Sequence, residues 1–276
     1  MKKILTRTIS GCIYVALIVI SLILDTPYLF FGLFSLFIIF GTFEFHRLAG
    51  QESSLFKLLV PLLDSIGGLA MFAGIMHIST GSSLTLPLTV YLAYFVIRMV
   101  IQLYDRNDNA IASLSHSFMG QLYVAMPLSL LNVIYFDFAP HMLLSIFIMI
   151  WLNDTGAFCV GSLIGKHKLF ERISPNKSWE GFWGGLAFCV IAGILFSTAF
   201  GSYFYGLNLA EWILLGIVVS VFSTWGDLCE SLIKRTLHVK DSGHIIPGHG
   251  GLLDRIDSLL LVVPASIIFL ILTFLS

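Results

Sequence analysis

The feature that most constrains this chain is a succession of nine apolar stretches, at about residues 9–24, 28–43, 58–78, 84–104, 118–135, 141–161, 180–200, 209–228 and 258–275. A helix crosses the hydrocarbon core of a bilayer with roughly 20 predominantly apolar residues, about 17–25 being tolerated. A soluble fold would have too few polar side chains to cover such segments: the chain is 57% hydrophobic and 11% charged, against about 25% charged in ordinary soluble domains. The sequence therefore predicts an all-α, polytopic integral membrane protein with about nine transmembrane helices. The first two stretches are short, and a single re-entrant hairpin is the alternative there. Lys2, Lys3 and Arg7 give the first stretch the look of a secretory leader. No small-residue cleavage site follows it, and Asp25-Thr26-Pro27 leads straight into the second stretch, so a retained span is expected.

Basic residues set the expected orientation. With nine spans, fourteen of the fifteen Lys and Arg residues fall on one side, in the loops that hold Lys2, Lys3, Arg7, Arg47, Lys57, Arg106, the group from Lys166 to Lys177, and the group from Lys234 to Arg255. The fifteenth, Arg98, lies near the same end of its span. This places the N-terminus in the cytoplasm of a cell whose inner membrane the chain crosses repeatedly. A net charge of −1 offers no surplus for a polyanion and argues against a nucleic-acid partner. Four scattered cysteines read as small buried hydrophobes. The chain divides into an N-terminal region of about five spans (1–140) and a region (141–276) whose loops, 162–179 and 229–257, carry most of the polar chemistry.

Ionisable groups inside a membrane are costly and mark function by default. Asp64, Arg98, Asp154 and Asp227 all fall in the cytoplasmic half of their spans, which predicts a polar cavity open to the cytoplasm. For Asp64, pairing with Arg98 or with backbone is an equal alternative. The loop after residue 161 gathers Lys166, His167, Lys168, Arg172 and Lys177, then Ser174-Pro175-Asn176-Lys177-Ser178 and Glu180-Gly181 where a helix begins. A hydroxyl, an ammonium and a helix N-terminus suit phosphate, while helix capping explains Ser178 and Glu180 equally simply. Further on, Ser223, Asp227, Ser231 and Lys234 fall on one helical face with Glu230 beside them. A glycine-rich turn around Pro247 and His249 follows, and then Asp254, Arg255 and Asp257. Carboxylates for a hard cation, basic side chains and turn amides are the components needed for nucleotide phosphates with magnesium. Neither GxxxxGK[ST] nor GxGxxG occurs, so the soluble nucleotide folds that use them are excluded.

The stretch Ser231 to Asp257 resembles the signature of the phosphatidate cytidylyltransferase (CDP-diacylglycerol synthase) family. The residues that carry the resemblance are Ser231, Lys234-Arg235, Lys240-Asp241, Gly243, His249-Gly250-Gly251 and Asp254-Arg255-Ile256-Asp257. Upstream, Trp151, Asp154-Thr155, Ala157-Phe158, Gly161, Ser174-Pro175, Lys177-Ser178, Glu180-Gly181 and Gly226-Asp227 agree with it. Ser162 departs from the pattern, where a basic residue is common, and so does His238, where glycine is expected. The resemblance implies transfer of the cytidylyl group from CTP to phosphatidate, in a homodimer embedded in the bilayer. Asp227 and Asp254 become the primary Mg²⁺ ligands, supported by Asp154, Asp257 and Glu230, with room for a second cation. Lys177, Lys234, Arg235, Lys240 and Arg255 hold phosphates, Ser174, Ser178 and Ser231 contact substrate, and His249, Gly250 and Gly251 shape a phosphate turn. A CTP-dependent lipid-alcohol kinase and an ion transporter are the rival readings.

Overall fold

A computed structural model describes residues 2–49, 56–105, 109–243 and 250–275, with the side chains of 2–8 and 49 outside the description. The chain forms two compact units, Met1–Asp137 with Val239–Arg255, and Phe138–His238 with Ile256–Ser276. The first contains α1 (Lys2–Ile23), α2 (Pro27–Ala49), α3 (Leu59–Ser79), α4 (Thr85–Tyr104), α5 (Ala110–Gly120) and α6 (Met126–Val133). The second contains α7 (Pro140–Ile164), strands β1 (Lys168–Phe170) and β2 (Ser174–Ser178), α8 (Trp179–Ser197) and α9 (Leu209–Thr236). Helix α10 (Leu253–Leu275) begins in the first unit and runs through the second. Among the described residues, eight helical stretches are long and apolar enough to cross a membrane, and a shorter apolar helix covers Ile9–Ile23. These are the nine stretches read from the sequence. α1 and α2 are continuous helices of 22 and 23 residues.

The fifth stretch is longer than its hydropathy indicated, Ala110–Phe138. Wide π turns at Gln121–Ala125 and Ile134–Phe138 interrupt it. Pro127 lacks the N–H that a regular helical turn needs, and just before it the Met126 N–H reaches back five residues to the Gln121 carbonyl.

The first unit is held by a buried polar network. His46 Nδ1 lies 2.6 Å from Asp64 Oδ2, and the Tyr94 hydroxyl donates to Asp64 Oδ1 at 3.0 Å. Gln121 donates to the Asp64 carbonyl at 2.7 Å. Arg98 donates to Ser117, Ser113 and Gln102 at 2.7, 2.8 and 3.0 Å. The expected cavity does not take in these two groups: Asp64 and Arg98 are enclosed, at 2% and 0% exposure. Nor is Asp64 hydrogen-bonded to Arg98; its partners are His46 and Tyr94. The reason is geometric. Tyr94, Arg98 and Gln102 recur at intervals of four along α4, so they form one inward polar stripe on a helix whose other faces are apolar and exposed.

In the second unit α7 and α8 pack closely. A Cβ on Gly156 would lie 2.8 Å from the Gly184 carbonyl, and one on Gly185 would lie 2.5 Å from Asn153 Oδ1. Small residues bring membrane helices into backbone contact, where dispersion replaces the missing hydrophobic drive. Ser220 of α9 donates to Asn153 Oδ1 at 2.7 Å and joins the third helix to this pair. The predicted loop 162–179 is largely an antiparallel hairpin, with Lys168 opposite Ser178 and Phe170 opposite Ser174. Its buried residues, Leu169 and Ile173, pack against Leu228 of α9.

Candidate functional site

The hairpin, the start of α8 and one face each of α7 and α9 enclose a cavity of about 560 Å³ within the second unit. α7 contributes Asp154, Ala157, Phe158 and Gly161; β2 contributes Ser174, Asn176 and Lys177; α9 contributes Thr224 and Asp227. The periodicity of α7 explains its share, since positions three and four apart lie on one face. Ser178 ends the hairpin and caps α8, its hydroxyl accepting from the Gly181 N–H at 3.1 Å. Both Ser178 and Gly181 line the cavity, so the positive end of the α8 dipole adjoins it. Glu180 makes a different contact. Its carboxylate accepts from the Lys166 and His167 N–H groups at 3.1 and 3.2 Å and lies 2.6 Å from His167 Nδ1. It thereby fastens the entry of the hairpin to the first turn of α8.

Lys177 and Asp227 meet inside the cavity, Nζ to Oδ2 at 2.7 Å. Both are partly open, at 25% and 35% side-chain exposure. Ser231, one turn beyond Asp227 on α9, donates to its other carboxylate oxygen at 3.2 Å. α9 and α10 cross at Gly226, where a Cβ would lie 2.8 Å from the Asp257 carbonyl, and the Ser258 hydroxyl donates to the Ser223 carbonyl at 3.1 Å. Asp257 is consequently near enough for the charges of Asp227, Glu230 and Asp154 to act on it. Glu230 is buried and accepts from Lys234. Arg235 donates to the Ile173 carbonyl at 3.4 Å and ties the end of α9 to the hairpin.

Among the described residues no three carboxylate, histidine or cysteine side chains close into a ready-made metal cage. Magnesium rarely uses one; it keeps several waters and takes one or two carboxylates together with substrate phosphates. Asp154 and the partly open Asp227, both lining the cavity, have the donor chemistry that such a cation requires.

The rest of the predicted set belongs to the first unit. Asp254 Oδ2 accepts from the Ser242 and Gly251 N–H groups at 3.0 and 2.9 Å, which closes the turn before α10. Gly250 adopts φ +83°, and a Cβ there would lie 2.6 Å from Asp254 Oδ2. Glycine is thus required twice over at this position. Lys240 and Arg255 are exposed. His249 lies outside the described residues, as do Pro247 and Gly248.

The structure thus brings Asp154, Ser174, Lys177, Ser178 and Asp227 to one cavity, sets Ser231 on Asp227, and places Asp257 and Glu230 within electrostatic reach. Lys234 and Arg235 are engaged with Glu230 and the hairpin. Ser162, the departure from the signature, also lines the cavity, its hydroxyl donating to the Cys159 carbonyl at 3.1 Å. Asn153 and Thr224 join the lining without having been singled out. A further omission is Glu44 of α2, whose Oε2 accepts from the Leu253 N–H at 3.0 Å. An acid beside His46 in an otherwise apolar run was the available signal.

The sequence profile of the cytidylyltransferase family matches residues 5–273. Phosphatidate cytidylyltransferase of Staphylococcus aureus (strain COL) is 50% identical over 133 residues, which cover 48% of this chain and 49% of that protein. Proteins of the same name from Staphylococcus haemolyticus (strain JCSC1435) and Staphylococcus saprophyticus are 50% and 49% identical, again over 133 residues with the same coverage. The chain spans about half the length of the curated relatives it matches.

Proposed function

The chain belongs to the cytidylyltransferase family, and on that premise we propose that it transfers the cytidylyl group of CTP to phosphatidate, giving CDP-diacylglycerol and pyrophosphate. The observation that carries this reading is the Lys177–Asp227 pair in a cavity walled by the hairpin and the α8 N-terminus. A carboxylate, an ammonium and a positive helix end adjoin one space large enough for a nucleotide, typical ligand sites being about 300–1,000 Å³.

The lipid phosphate is already an anionic nucleophile and needs no strong base. Its approach to the α-phosphorus of CTP sets two anions against each other, and pre-positioned positive groups offset that repulsion. In this reading Lys177, Ser174 and Ser178 receive the triphosphate, and the α8 N-terminus adds its amides. Lys234, Arg235, Lys240 and Arg255 supply charge for the lipid phosphate and the departing pyrophosphate. His249, Gly250 and Gly251 shape the turn held by Asp254. Magnesium would be held by Asp227, with Asp154, Asp257 and Glu230 in support and with room for a second cation, while Asp254 is assigned to it by the family resemblance alone; it would neutralise phosphate charge and polarise the reacting phosphoryl group. Asp227 keeps its carboxylate oriented through Ser231 and balanced by Lys177. The reading places the protein in a bacterial inner membrane with its N-terminus in the cytoplasm, where CTP is supplied, and assembles it as a homodimer.

The test is purified protein in detergent with phosphatidate, Mg²⁺ and CTP labelled at either the α- or the γ-phosphate. Label from the α-position entering the lipid extract, with pyrophosphate released and activity abolished by chelation, supports the proposal. Label from the γ-position with release of CDP identifies a kinase, and no labelled lipid under any divalent cation refutes the assignment.

A further inference from the structure

Glu44 lies in α2, outside the signature, and is enclosed at 4% exposure. An enclosed carboxylate needs hydrogen-bond donors, and the signature turn supplies one. The N–H of Leu253, the first residue of α10, donates to Glu44 Oε2 at 3.0 Å, across 209 residues of chain. The first N–H groups of a helix have no partner within it and form its positive end, so a carboxylate suits that place. Room for the carboxylate comes from two glycines of the signature. A Cβ on Gly243 would collide with Glu44 Oε1 and lie 2.9 Å from the carboxyl carbon; one on Gly251 would lie 2.6 and 2.8 Å from the two oxygens. Neither glycine has the left-handed φ that Gly250 adopts, so backbone conformation does not account for them. The approach of Glu44 does. Asp254 binds the same turn from within, through the Ser242 and Gly251 N–H groups. Gly251 therefore meets both acids, its N–H bonded to one and its bare Cα set against the other.

We propose that Glu44 is a positioning residue for the cytidylyl transfer: it fixes the backbone from Gly251 to Leu253, and with it the aim of the Asp254 carboxylate that follows. Gly243 and Gly251 are then the seat of an acid that comes from another helix. All of these contacts lie within the first unit, which joins α2 to the segment Val239–Arg255. The inference rests on the proposed reaction for what the turn is positioned to do, whereas the contacts hold whatever the chemistry. Removing Glu44 leaves the Leu253 N–H without this acceptor and opens space beside both glycines, so the turn relaxes into it. A misplacement of about 1 Å is enough to cost a reaction about 10²-fold in rate.

The test uses the full chain in detergent with phosphatidate, Mg²⁺ and α-labelled CTP, together with amide hydrogen exchange at Leu253. Glu44→Ala lowers kcat about 10²-fold, leaves KM for CTP within about twofold of the parent, and quickens exchange at Leu253. Glu44→Gln keeps an acceptor for that N–H and returns kcat to within about fivefold of the parent, the difference between a charged and a neutral hydrogen bond, with the thermal midpoint unchanged. Gly243→Ala adds only the Cβ that meets Glu44; it lowers kcat by itself and causes no further loss in the Glu44→Ala background, as coupled neighbours do. Additive losses, a raised KM with kcat unchanged, or a Glu44→Gln variant as impaired as Glu44→Ala overturns the inference. If Glu44→Ala does not fold, Glu44→Gln and Gly243→Ala decide it, and parent-like kcat in Gly243→Ala overturns it. CDP-lipid formed equally by parent and variants sinks the inference and leaves the reaction standing. No CDP-lipid from the parent, with Leu253 exchange still governed by Glu44, sinks the reaction and leaves the contact standing.

Discussion

Lys177→Met separates two roles that the ion pair with Asp227 combines. The pair is close, 2.7 Å, but both side chains are partly open to solvent, at 25% and 35%. Water screens such a pair, and its loss costs stability only about 0.2–1 kcal/mol. Methionine keeps most of the side chain's apolar length, so packing around the hairpin changes little. The effect on turnover is expected to be much larger. A pre-positioned positive group that faces charge developing in the transition state is worth about 10²–10³ in rate, or roughly 2.7–4 kcal/mol. The variant should therefore unfold within a few degrees of the parent while kcat/KM for CTP falls by about two orders of magnitude or more. Thermal unfolding in detergent and the α-labelled CTP assay read the two quantities separately. Activity within a few-fold of the parent would refute the reasoning, because Lys177 would then be only a counter-ion for Asp227. A large drop in unfolding temperature would refute it differently, by showing the pair to be structural.

Three further outcomes follow from particular contacts. His238, just past the end of α9, has φ +57°, a left-handed conformation that costs an L-residue about 1–2 kcal/mol; His238→Gly should stabilise the fold by about 0.5 kcal/mol after the entropy of glycine is subtracted, read as a raised thermal midpoint, and a lowered midpoint would count against the assigned strain. Asp64→Ala strands His46 and Tyr94 in the interior of the first unit; breaking a buried pair costs about 3–5 kcal/mol, which denaturation should detect, with KM for CTP unchanged in the folded fraction. Glu180→Gln weakens the fastening of Lys166 and His167; hydrogen exchange in the hairpin should accelerate and KM for CTP should rise more than kcat falls, whereas equal loss of both would point to direct participation in the chemistry.

The span pattern was legible because each helix must bury its own backbone hydrogen bonds in an apolar run, and such runs are long and local. What escaped was non-local. The fifth span starts at Ala110, ahead of its apolar run, and its π turns leave no mark on the hydropathy pattern. Basic residues on loop 162–179 masked its hairpin, although Leu169 and Ile173 are apolar and pack on Leu228. Asp64 stood out as an intramembrane acid, but its partner could not be read from the sequence, since His46 and Tyr94 come from two other helices. Motif spacing singled out Asp154, Lys177 and Asp227, and the three share one cavity because each is fixed by a helix face or by the strand that enters α8. It could not show that Asp254 Oδ2 closes the turn before α10, or that Glu44 holds the first residue of α10. The glycine expected at position 238 did have a physical basis, which the positive φ of His238 supplies.

Photo-crosslinking with an azido derivative of CTP, followed by peptide mapping, tests most directly where the nucleotide sits. The account predicts label in the hairpin and the start of α8, from Ser174 to Gly181, and in α9 around Thr224 and Asp227, all of it displaced by unlabelled CTP. Displaceable label confined to other helices, with these segments unmarked, would contradict it.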